Sequence, residues 1–349
     1  MAGVIRLGII GCGKVSWERH HPALCRLREF TVEAVSDIDP ARAKRSASLF
    51  GARGIFTDHT EMLSQCALDA VAVLTPTGAH AETGVAVLEA GKHLFMEKPL
   101  ALTTEEAGRL MEAQRRSGCV VQVCFNLRWH RLIRQARHLI RQGVLGRVKA
   151  IHSVYTHNRT GDDAPEWHRV SKLGGGVSFN EGVHHYDLWR HLLGLEIREV
   201  HARSQPSAAY EDETSAISAL LDDGVLATGV FSFLSGPNSE LEVFGERGRL
   251  LISLYRFDGL QFYSSSTYPG AHRDRLKRGT RAVLSLPELL ADARTGGSFQ
   301  ATFAACWKGF GRSVLTGAPV GCSLEDGLKA LEVALASVSS AHSGRPVQV

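Results

Sequence analysis

A short stretch that ends in two opposite charges could carry out proton transfer. An apolar run, Leu94 to Met96, is followed by Glu97, Lys98 and a proline. Proline has no N–H to offer a sheet, so the run should form a buried strand that stops there, with both charges at its carboxyl edge. Open α/β sheets bind ligands at that edge, where a lysine can act as an acid or a base. The alternative is a solvated charge pair that closes a strand.

A second stretch, 174–188, combines three glycines with an amide and an imidazole. Asn180 and His184 are four residues apart, so they share one face of the helix that we predict to run to about Leu193. Histidine titrates near neutral pH, which makes His184 the best general acid–base candidate in the chain. A histidine on a helix is more often structural, and this alternative stays open on the local sequence. Asp187 is interpreted as fixing local structure, and His185 as facing away.

Glycines after the first predicted strand could bind a dinucleotide. An apolar, β-branched run over 4–10 leads into Gly11, Gly13 and Ser16, which match G-x-G-x-x-G/A with serine in the third place. Gly11 would make the tight turn, and Gly13 would let the backbone approach a pyrophosphate at the start of the next helix. The cofactor-binding candidates in this turn are Gly11, Gly13, Lys14 and Val15.

An acid after the second predicted strand fits the same interpretation. The run over 31–35 ends in Ser36 and Asp37, and Asp37 lies 21 residues after Ser16. An acid at about this distance commonly binds the ribose 2′-hydroxyl, and it would repel a 2′-phosphate. The sequence therefore predicts NAD as the preferred cofactor, with NADP as the alternative. A glycine turn with an unrelated surface aspartate is the competing interpretation.

Strands and helices alternate through the first half, which predicts a doubly wound parallel sheet. One of the buried runs, 70–74, is closed by Thr75 and Pro76. From 197 to 263, runs of strand type separated by Asp-Gly and Gly turns predict a large, mostly antiparallel open sheet. The predicted domains are an α/β dinucleotide-binding Rossmann domain over 1–125 and an α+β substrate-binding and oligomerisation domain over 126–349.

Composition excludes several other classes of protein. A net charge of +4 over 349 residues argues against a nucleic-acid partner, and the one dense basic run, 273–278, contains an acid and is interpreted as a solvated face. Seven cysteines without C-x-x-C spacing predict reduced thiols in a cytoplasmic protein, with neither a disulfide framework nor a metal site. No apolar run approaches the roughly 18 residues of a membrane span, and no signal peptide is expected.

These motifs resemble those of the Gfo/Idh/MocA oxidoreductase family, named for glucose–fructose oxidoreductase and inositol dehydrogenase. The matching pieces are Gly11-Cys12-Gly13, Thr75-Pro76-Thr77-Gly78-Ala79-His80, Glu97-Lys98-Pro99-Leu100, and two glycines followed by Asn180, His184 and Asp187. The resemblance covers most of the chain and is weakest over about 264–297. It implies that Lys98 contacts both the nicotinamide ribose and the substrate. It also implies a homodimer or homotetramer formed through the open sheet.

The resemblance extends the set of expected site residues. Many members have aspartate where this chain has Asn180, and an amide cannot relay a proton. Asn180 is therefore expected to orient a substrate hydroxyl, while Lys98 and His184 share the acid–base work. Arg128 is expected either near the substrate or as a surface arginine at a helix start. Trp167 lies in a polar loop, 157–169, that could line a pocket or be an irregular surface loop. The remaining cofactor-binding candidates are Arg42, Thr75, Pro76, His80, Glu97 and Lys98.

We therefore predict an NAD(P)-dependent oxidoreductase that acts on a secondary alcohol of a sugar, a sugar derivative or a cyclitol. In this hypothesis His184 is the main acid–base group and Lys98 polarises the oxygen. Two alternatives remain open: a non-redox enzyme that uses bound NAD in glycoside cleavage, and a regulatory protein without turnover. All of this depends on Lys98 and His184 converging on one hydroxylated carbon.

Overall fold

The computed structural model describes residues 3–159, 164–266, 287, 290 and 297–349. The basic run at 273–278 lies outside these residues, as do 160–163 in the polar loop and most of 264–297. The chain divides into two compact units. They are Met1–Asn126 with Gln300–Leu331, and Leu127–Phe299 with Glu332–Val349.

A six-stranded parallel sheet forms the centre of the first unit. Its strands are Ile5–Ile10 (β1), Phe30–Ser36 (β2), Gly54–Phe56 (β3), Ala70–Val73 (β4), His93–Met96 (β5) and Val121–Val123 (β6). Their order is β3-β2-β1-β4-β5-β6, and neighbouring strands pair in parallel. Every residue of β4 is buried, as expected for a strand covered on both faces. This sheet confirms the predicted doubly wound architecture.

Helices connect these strands, and three of them begin at a side-chain cap, from Asp39, Asp58 and Thr103. The helices are His21–Leu24 (α1), Pro40–Phe50 (α2), His59–Gln65 (α3), His80–Glu89 (α4) and Thr104–Ser117 (α5). At the start of α5 the Thr103 hydroxyl accepts the backbone N–H of Glu106 at 3.2 Å, and the Glu106 carboxylate accepts the N–H of Leu102 at 2.8 Å. The helix ends at Gly118, whose φ of 65° is the left-handed conformation that glycine adopts readily.

Eight strands form a mostly antiparallel sheet in the second unit. They are Val148–Asn158 (β7), Ile197–Gln205 (β8), Thr214–Leu221 (β9), Leu226–Ser232 (β10), Leu234–Gly245 (β11), Gly248–Ser253 (β12), Leu260–Ser264 (β13) and Val347–Gln348 (β14). The order is β13-β12-β11-β7-β10-β9-β8-β14, with β7 and β10 parallel and the other neighbours antiparallel. Burial alternates along β9, so the sheet has one covered face and one open face, as predicted.

The remaining helices follow β6 in the chain. They are Arg131–Arg141 (α6), Glu166–Arg169 (α7), Val177–Asn180 (α8), Gly182–Leu193 (α9), Ser298–Thr316 (α10) and Leu324–Ser343 (α11). At the start of α11, Ser323 and Asp326 form a reciprocal capping box, with hydrogen bonds of 3.0 and 3.1 Å. In the described part of the chain, every helix is too short or too polar to cross a bilayer.

Candidate active site

Three neighbouring strand ends bring the first set of predicted site residues to one edge. β4 lies between β1 and β5, and the last residues of the three strands are aligned. Gly11, Thr75 and Lys98 follow these strand ends within two residues. Because neighbouring strands are about 4.8 Å apart, the three segments share one carboxyl edge. The strand order reverses between β1 and β4, which is where open α/β sheets bind their ligands.

Gly11 and Gly13 differ in what surrounds them. Gly11 has a φ of 93°, and a Cβ there would lie 2.6 Å from the carbonyl carbon of Leu74, so only glycine fits. Around Gly13, no atom of the described residues lies within 4 Å of where a Cβ would stand. Packing within the protein therefore does not require glycine at position 13. Close approach of a pyrophosphate to the backbone would require it. The turn, with Lys14 and Val15 exposed beside it, fits the phosphates of NAD.

The Asp37 carboxylate is tied to the glycine turn. Its Oδ2 accepts the N–H of Cys12 at 2.7 Å, and its Oδ1 accepts the N–H of Asp39 at 2.9 Å. A carboxylate has about four acceptor positions, so positions remain for ribose hydroxyls. The exposed Arg42 side chain pairs with Asp39, with 3.3 Å between Nε and Oδ2. Cofactor contacts of Asp37 and Arg42 stay predictions.

His80 joins the Thr75 turn to the segment that follows Lys98. Its buried ring has Nδ1 2.8 Å from the carbonyl oxygen of Pro99 and Nε2 2.9 Å from that of Thr75. Burial lowers the pKa of His80, although the two carbonyl oxygens act in the opposite direction. Both ring nitrogens face backbone oxygens, so this side chain aligns two loops of the site. Cofactor contacts of Thr75, Pro76 and His80 stay predictions.

Glu97 is anchored through both carboxylate oxygens immediately before Lys98. Oε1 lies 2.9 Å from Nε2 of His20, and Oε2 accepts the backbone N–H of Lys98 at 3.0 Å. Burial alone would raise the pKa of Glu97, but the hydrogen bond with His20 and the charge of Lys98 hold it below its usual value. Glu97 is therefore an ionised, buried group at the strand end, and Lys98 itself is half-buried.

Close contacts explain two of the three glycines in the second block. A Cβ on Gly175 would lie 2.5 Å from the carbonyl oxygen of Trp167. Gly176 has a φ of 86°, and a Cβ there would lie 2.9 Å from Cβ of Asp212. The turn passes between the backbone at Trp167 and the side chain of Asp212 with no room for a further side chain, and this fixes the point at which α8 begins.

Asp212 holds the start of α8. Its Oδ2 accepts the N–H of Ser178 at 2.8 Å, and its backbone oxygen accepts the N–H of Val177 at 2.9 Å. Its Oδ1 accepts hydroxyl hydrogen bonds from Ser215 at 2.9 Å and Ser204 at 2.5 Å. A negative group at a helix start satisfies free N–H donors and complements the helix dipole. Asp212 thereby positions the short helix whose last residue is Asn180.

Asn180 and His184 lie on two helical segments and not on one continuous helix. α8 ends at Asn180, Glu181 forms a turn, and α9 begins at Gly182. The N–H of His184 donates to the carbonyl oxygen of Glu181, three residues back, at 3.1 Å. A bond of this kind tightens the chain by a fraction of a turn, so the predicted common face is altered at this junction. Both residues remain in consecutive turns of backbone.

Arg128 forms a buried, bidentate pair with Asp187 of α9. Its Nε lies 2.8 Å from Oδ2, and a terminal nitrogen lies 2.5 Å from Oδ1. The pair ties the turn at 126–129 to the helix that carries His184, and substrate contact by Arg128 stays a prediction. Trp167 is half-buried, with its ring centroid 4.3 Å from that of His168. A pocket-lining role for Trp167 stays a prediction too.

His185 lies in an aromatic environment beneath the sheet. Its ring centroid is 5.5 Å from that of Tyr155 and 5.0 Å from that of Phe231, and the side chain is fully buried. Burial lowers the pKa of His185 to about 3, with the charge of Glu181 acting weakly in the opposite direction. This side chain is therefore an uncharged part of the core at neutral pH.

The structure groups the predicted residues into two sets. The glycine turn, Asp37, Thr75, His80 and Lys98 belong to the first unit, and Arg128, Trp167, Asn180 and His184 belong to the second. Sequence reasoning missed three residues that support these sets through hydrogen bonds: His20, Trp307 and Asp212. Each is a single residue outside the motifs it supports, so spacing carried no signal for it.

Comparisons with known proteins bear on both halves of the chain. Residues 5–125 match a family described as an oxidoreductase family with an NAD-binding Rossmann fold. Residues 133–251 match the GFO/IDH/MocA C-terminal domain.

Two relatives and one solved structure illustrate the similarity. A dTDP-3,4-didehydro-2,6-dideoxy-alpha-D-glucose 3-reductase of Saccharopolyspora spinosa is 29% identical over 71% of this chain and 74% of its own. A myo-inositol 2-dehydrogenase of Thermotoga maritima is 25% identical over 99% of this chain and 98% of its own. The WlbA dehydrogenase of Bordetella pertussis, solved with NADH and UDP-GlcNAcA, has a TM-score of 0.83 at 20% identity, covering 99% of this chain and 98% of its own.

Proposed function

We propose a reaction for this chain from the premise that it belongs to the Gfo/Idh/MocA oxidoreductase family. The chain is an oxidoreductase whose first unit carries the NAD-binding Rossmann fold of that family. The proposed reaction is oxidation of a secondary alcohol on a sugar, a sugar derivative or a cyclitol, or the reverse reduction. NAD, when bound, supplies the electron-pair acceptor or donor.

The alignment of three strand ends is the observation that carries this proposal. Gly11, Thr75 and Lys98 share one edge of the parallel sheet, beside the point where the strand order reverses. A cofactor with its pyrophosphate at the glycine turn would extend along this edge. A half-buried lysine two strands away is then suited to a hydroxyl group that reacts next to the cofactor.

Three side chains would divide the work on the substrate. In the proposal, His184 accepts the hydroxyl proton during oxidation and returns it during reduction. Lys98 polarises the same oxygen, and Asn180 orients the hydroxyl through its amide. The buried, ionised Glu97 interacts electrostatically with the charge of Lys98.

The comparisons favour a cyclitol as the first substrate to test. The inositol dehydrogenase relative aligns along essentially the whole chain, whereas the sugar-nucleotide reductase aligns over 71% of it. We propose that a polyhydroxylated ring is the substrate class and that NAD is preferred to NADP, because of the acid at Asp37. Suitable probes are myo-inositol, scyllo-inositol and a dTDP-sugar.

The test is NAD+ reduction followed at 340 nm with each probe, for the native chain and for Lys98→Ala and His184→Ala. We expect turnover with at least one probe and a loss of about a hundredfold or more in kcat in each variant, with NADH still bound. NADH binding by fluorescence is the control that the variants are folded. Near-normal turnover in both variants would refute the assignment.

Two other functions would give different results in the same assay. A regulatory protein would bind NADH and turn over none of the probes. An enzyme that uses NAD transiently in glycoside cleavage would release product from a nitrophenyl glycoside without net NAD reduction. The relatives described here are named as dehydrogenases and reductases, which favours net oxidation or reduction.

We further propose that the chain forms a homodimer or homotetramer through the open face of the eight-stranded sheet. Leu220, Leu226 and Val230 lie on β9 and β10 and are 39, 56 and 38% exposed. Apolar side chains on an open sheet face are suited to pairing with a second copy. Light scattering should give a dimer or tetramer mass for the native chain and a lower mass for Leu226→Arg. A native monomer at micromolar concentration would refute this.

The proposed location is the cytoplasm, because all seven cysteines are free thiols and five of them are buried. Fractionation of cells that express the chain would test this. Recovery outside the cytoplasmic fraction would contradict it.

A further inference from the structure

His20 connects the last third of the chain to the strand end that carries Lys98. The imidazole is completely buried and lies between two hydrogen-bond partners. Its Nδ1 is 3.1 Å from the indole Nε1 of Trp307, and its Nε2 is 2.9 Å from Oε1 of Glu97. The three side chains therefore form a continuous hydrogen-bonded row. The partners are 287 and 77 residues away in the sequence.

The chemistry of the two partners determines where the imidazole proton lies. An indole N–H can only donate a hydrogen bond, so Nδ1 of His20 must accept it. The ionised carboxylate of Glu97 can only accept, so Nε2 must carry a proton and donate it. Both requirements are met by one tautomer, with a single ring proton on Nε2. The indole occupies the place that a proton on Nδ1 would need.

Aromatic packing holds the same row in place. The Trp307 ring stacks on Phe95 of β5 at 3.9 Å between centroids, with 11° between their planes. Phe303 meets the His20 ring edge to face at 5.3 Å. The direction of the indole N–H is therefore set by a ring stacked on β5, the strand that ends just before Glu97.

We infer that Trp307 and His20 are positioning residues for Lys98, acting through the Glu97 carboxylate. His20 holds one carboxylate oxygen, and the other oxygen holds the backbone N–H of Lys98 at 3.0 Å. Fixing both oxygens prevents rotation of the carboxylate and fixes the position from which the lysine side chain starts. A supporting row of this kind is what keeps a reacting group within a fraction of an ångström of its working position. This inference rests on the proposed function only in taking Lys98 as a group that contacts substrate.

A metal ion is a weaker explanation of the same residues. His20, Glu97 and Cys124 place possible ligand atoms within 4.8 Å of one another. Metal binding would require His20 to give up one of its two hydrogen bonds. It would also require a thiolate at Cys124, although burial raises the pKa of that thiol well above its usual value.

The first experiment reads the tautomer directly and needs no substrate. Nitrogen-15 NMR of the full chain labelled at histidine should give, for His20, one protonated ring nitrogen and one that carries no proton. The signal is assigned by its disappearance in His20→Gln. In Trp307→Phe, which keeps an aromatic ring on Phe95, the resonance of the unprotonated nitrogen should shift. Protonation of Nδ1 in the native chain would overturn the inference.

The second experiment measures the consequence for turnover. His20→Leu removes both hydrogen bonds, whereas His20→Gln retains an acceptor and a donor and should restore part of the activity. With myo-inositol and NAD+, we expect kcat to fall at least about tenfold in His20→Leu and less in His20→Gln and Trp307→Phe. NADH affinity should change less than about threefold, because the His20 ring bonds to Trp307 and Glu97, whereas the Asp37 carboxylate bonds to Cys12 and Asp39.

Phe303→Leu is the matched control, since it alters packing on His20 without touching a hydrogen bond. Equal kcat losses in His20→Leu, His20→Gln and Phe303→Leu would overturn the inference in favour of simple packing. If the native chain oxidises none of the probes, the proposed function fails, and the NMR measurement still decides the inference.

Discussion

Replacing His185 with leucine should make the protein more resistant to acid. The ring is fully buried against Tyr155 and Phe231, and its pKa is lowered to about 3 from 6.5. The unfolded chain therefore binds a proton near pH 6.5, which the folded chain cannot bind until about pH 3. The free energy of unfolding is unaffected by this group above pH 6.5 and decreases as the pH falls through the window between the two values.

The size of this effect follows from proton linkage. Each pKa unit corresponds to about 1.4 kcal/mol, so the whole window is worth about 5 kcal/mol. Between pH 7 and pH 4.5 the free energy of unfolding of the native chain should fall by about 2.5 kcal/mol because of His185. In His185→Leu this contribution should be absent. Leucine has nearly the same volume as histidine and needs no hydrogen bond in an aromatic environment.

Urea unfolding followed by tryptophan fluorescence at pH 7 and pH 4.5 measures the difference. Contributions of the carboxylates are common to both proteins and cancel when the two pH-dependent losses are subtracted. His342→Leu, which removes an exposed histidine from α11, controls for the loss of one imidazole. Parallel losses in the native chain and His185→Leu, within about 0.5 kcal/mol, would refute the reasoning.

Three further predictions concern the site. Gly11→Ala should lower the free energy of unfolding by about 2 kcal/mol or more and abolish NADH binding measured by fluorescence, because its Cβ would meet the Leu74 carbonyl at 2.6 Å. Gly51→Ala, at a φ of 71° but in open space, should cost about 1 kcal/mol and leave NADH binding unchanged; equal effects would contradict the steric argument. Asp37→Ser should weaken NADH binding and bring the dissociation constants for NADH and NADPH closer together in a titration. An unchanged ratio of the two constants would argue against a ribose contact. Asp212→Asn should lower the free energy of unfolding by about 1–3 kcal/mol and reduce kcat while NADH affinity is kept, because it takes an acceptor from the start of α8; unaltered kcat would exclude a positioning role.

The sequence predicts much of the parallel sheet because β1, β4 and β5 are short apolar runs followed within three residues by glycine or proline. β1 ends before Gly11 and β5 before the Glu-Lys-Pro stretch, so strand ends and site residues are marked by the same residues. The start of α5 after the cap residue Thr103 is predictable for a similar reason, since a hydroxyl followed three residues later by glutamate is a local signal. Local chemistry of this kind needs no knowledge of the rest of the chain.

The residues that support the site could not be predicted in this way. Asp212 holds the start of α8 from 34 residues away, and Trp307 reaches His20 across 287. The interruption of the helix at Glu181 depends on which carbonyl oxygen accepts the N–H of His184, and no residue type in the sequence predicts this. The short β14 pairs with β8, which precedes it by more than 140 residues, and a run of two residues gives no usable periodicity.

The first unit is built from two stretches of chain that are far apart in the sequence, and this has a consequence for its synthesis on the ribosome. α10 supplies hydrogen-bond partners to the edge of the parallel sheet: the Cys306 carbonyl for Gln122 and the Thr302 hydroxyl for Asn126, 184 and 176 residues later. A nascent chain that has released only its first 126 residues lacks these partners, and Phe95 lacks the indole that covers it. The first unit should therefore reach its final packing only after α10 has been translated, and until then it exposes apolar surface of the kind that chaperones bind.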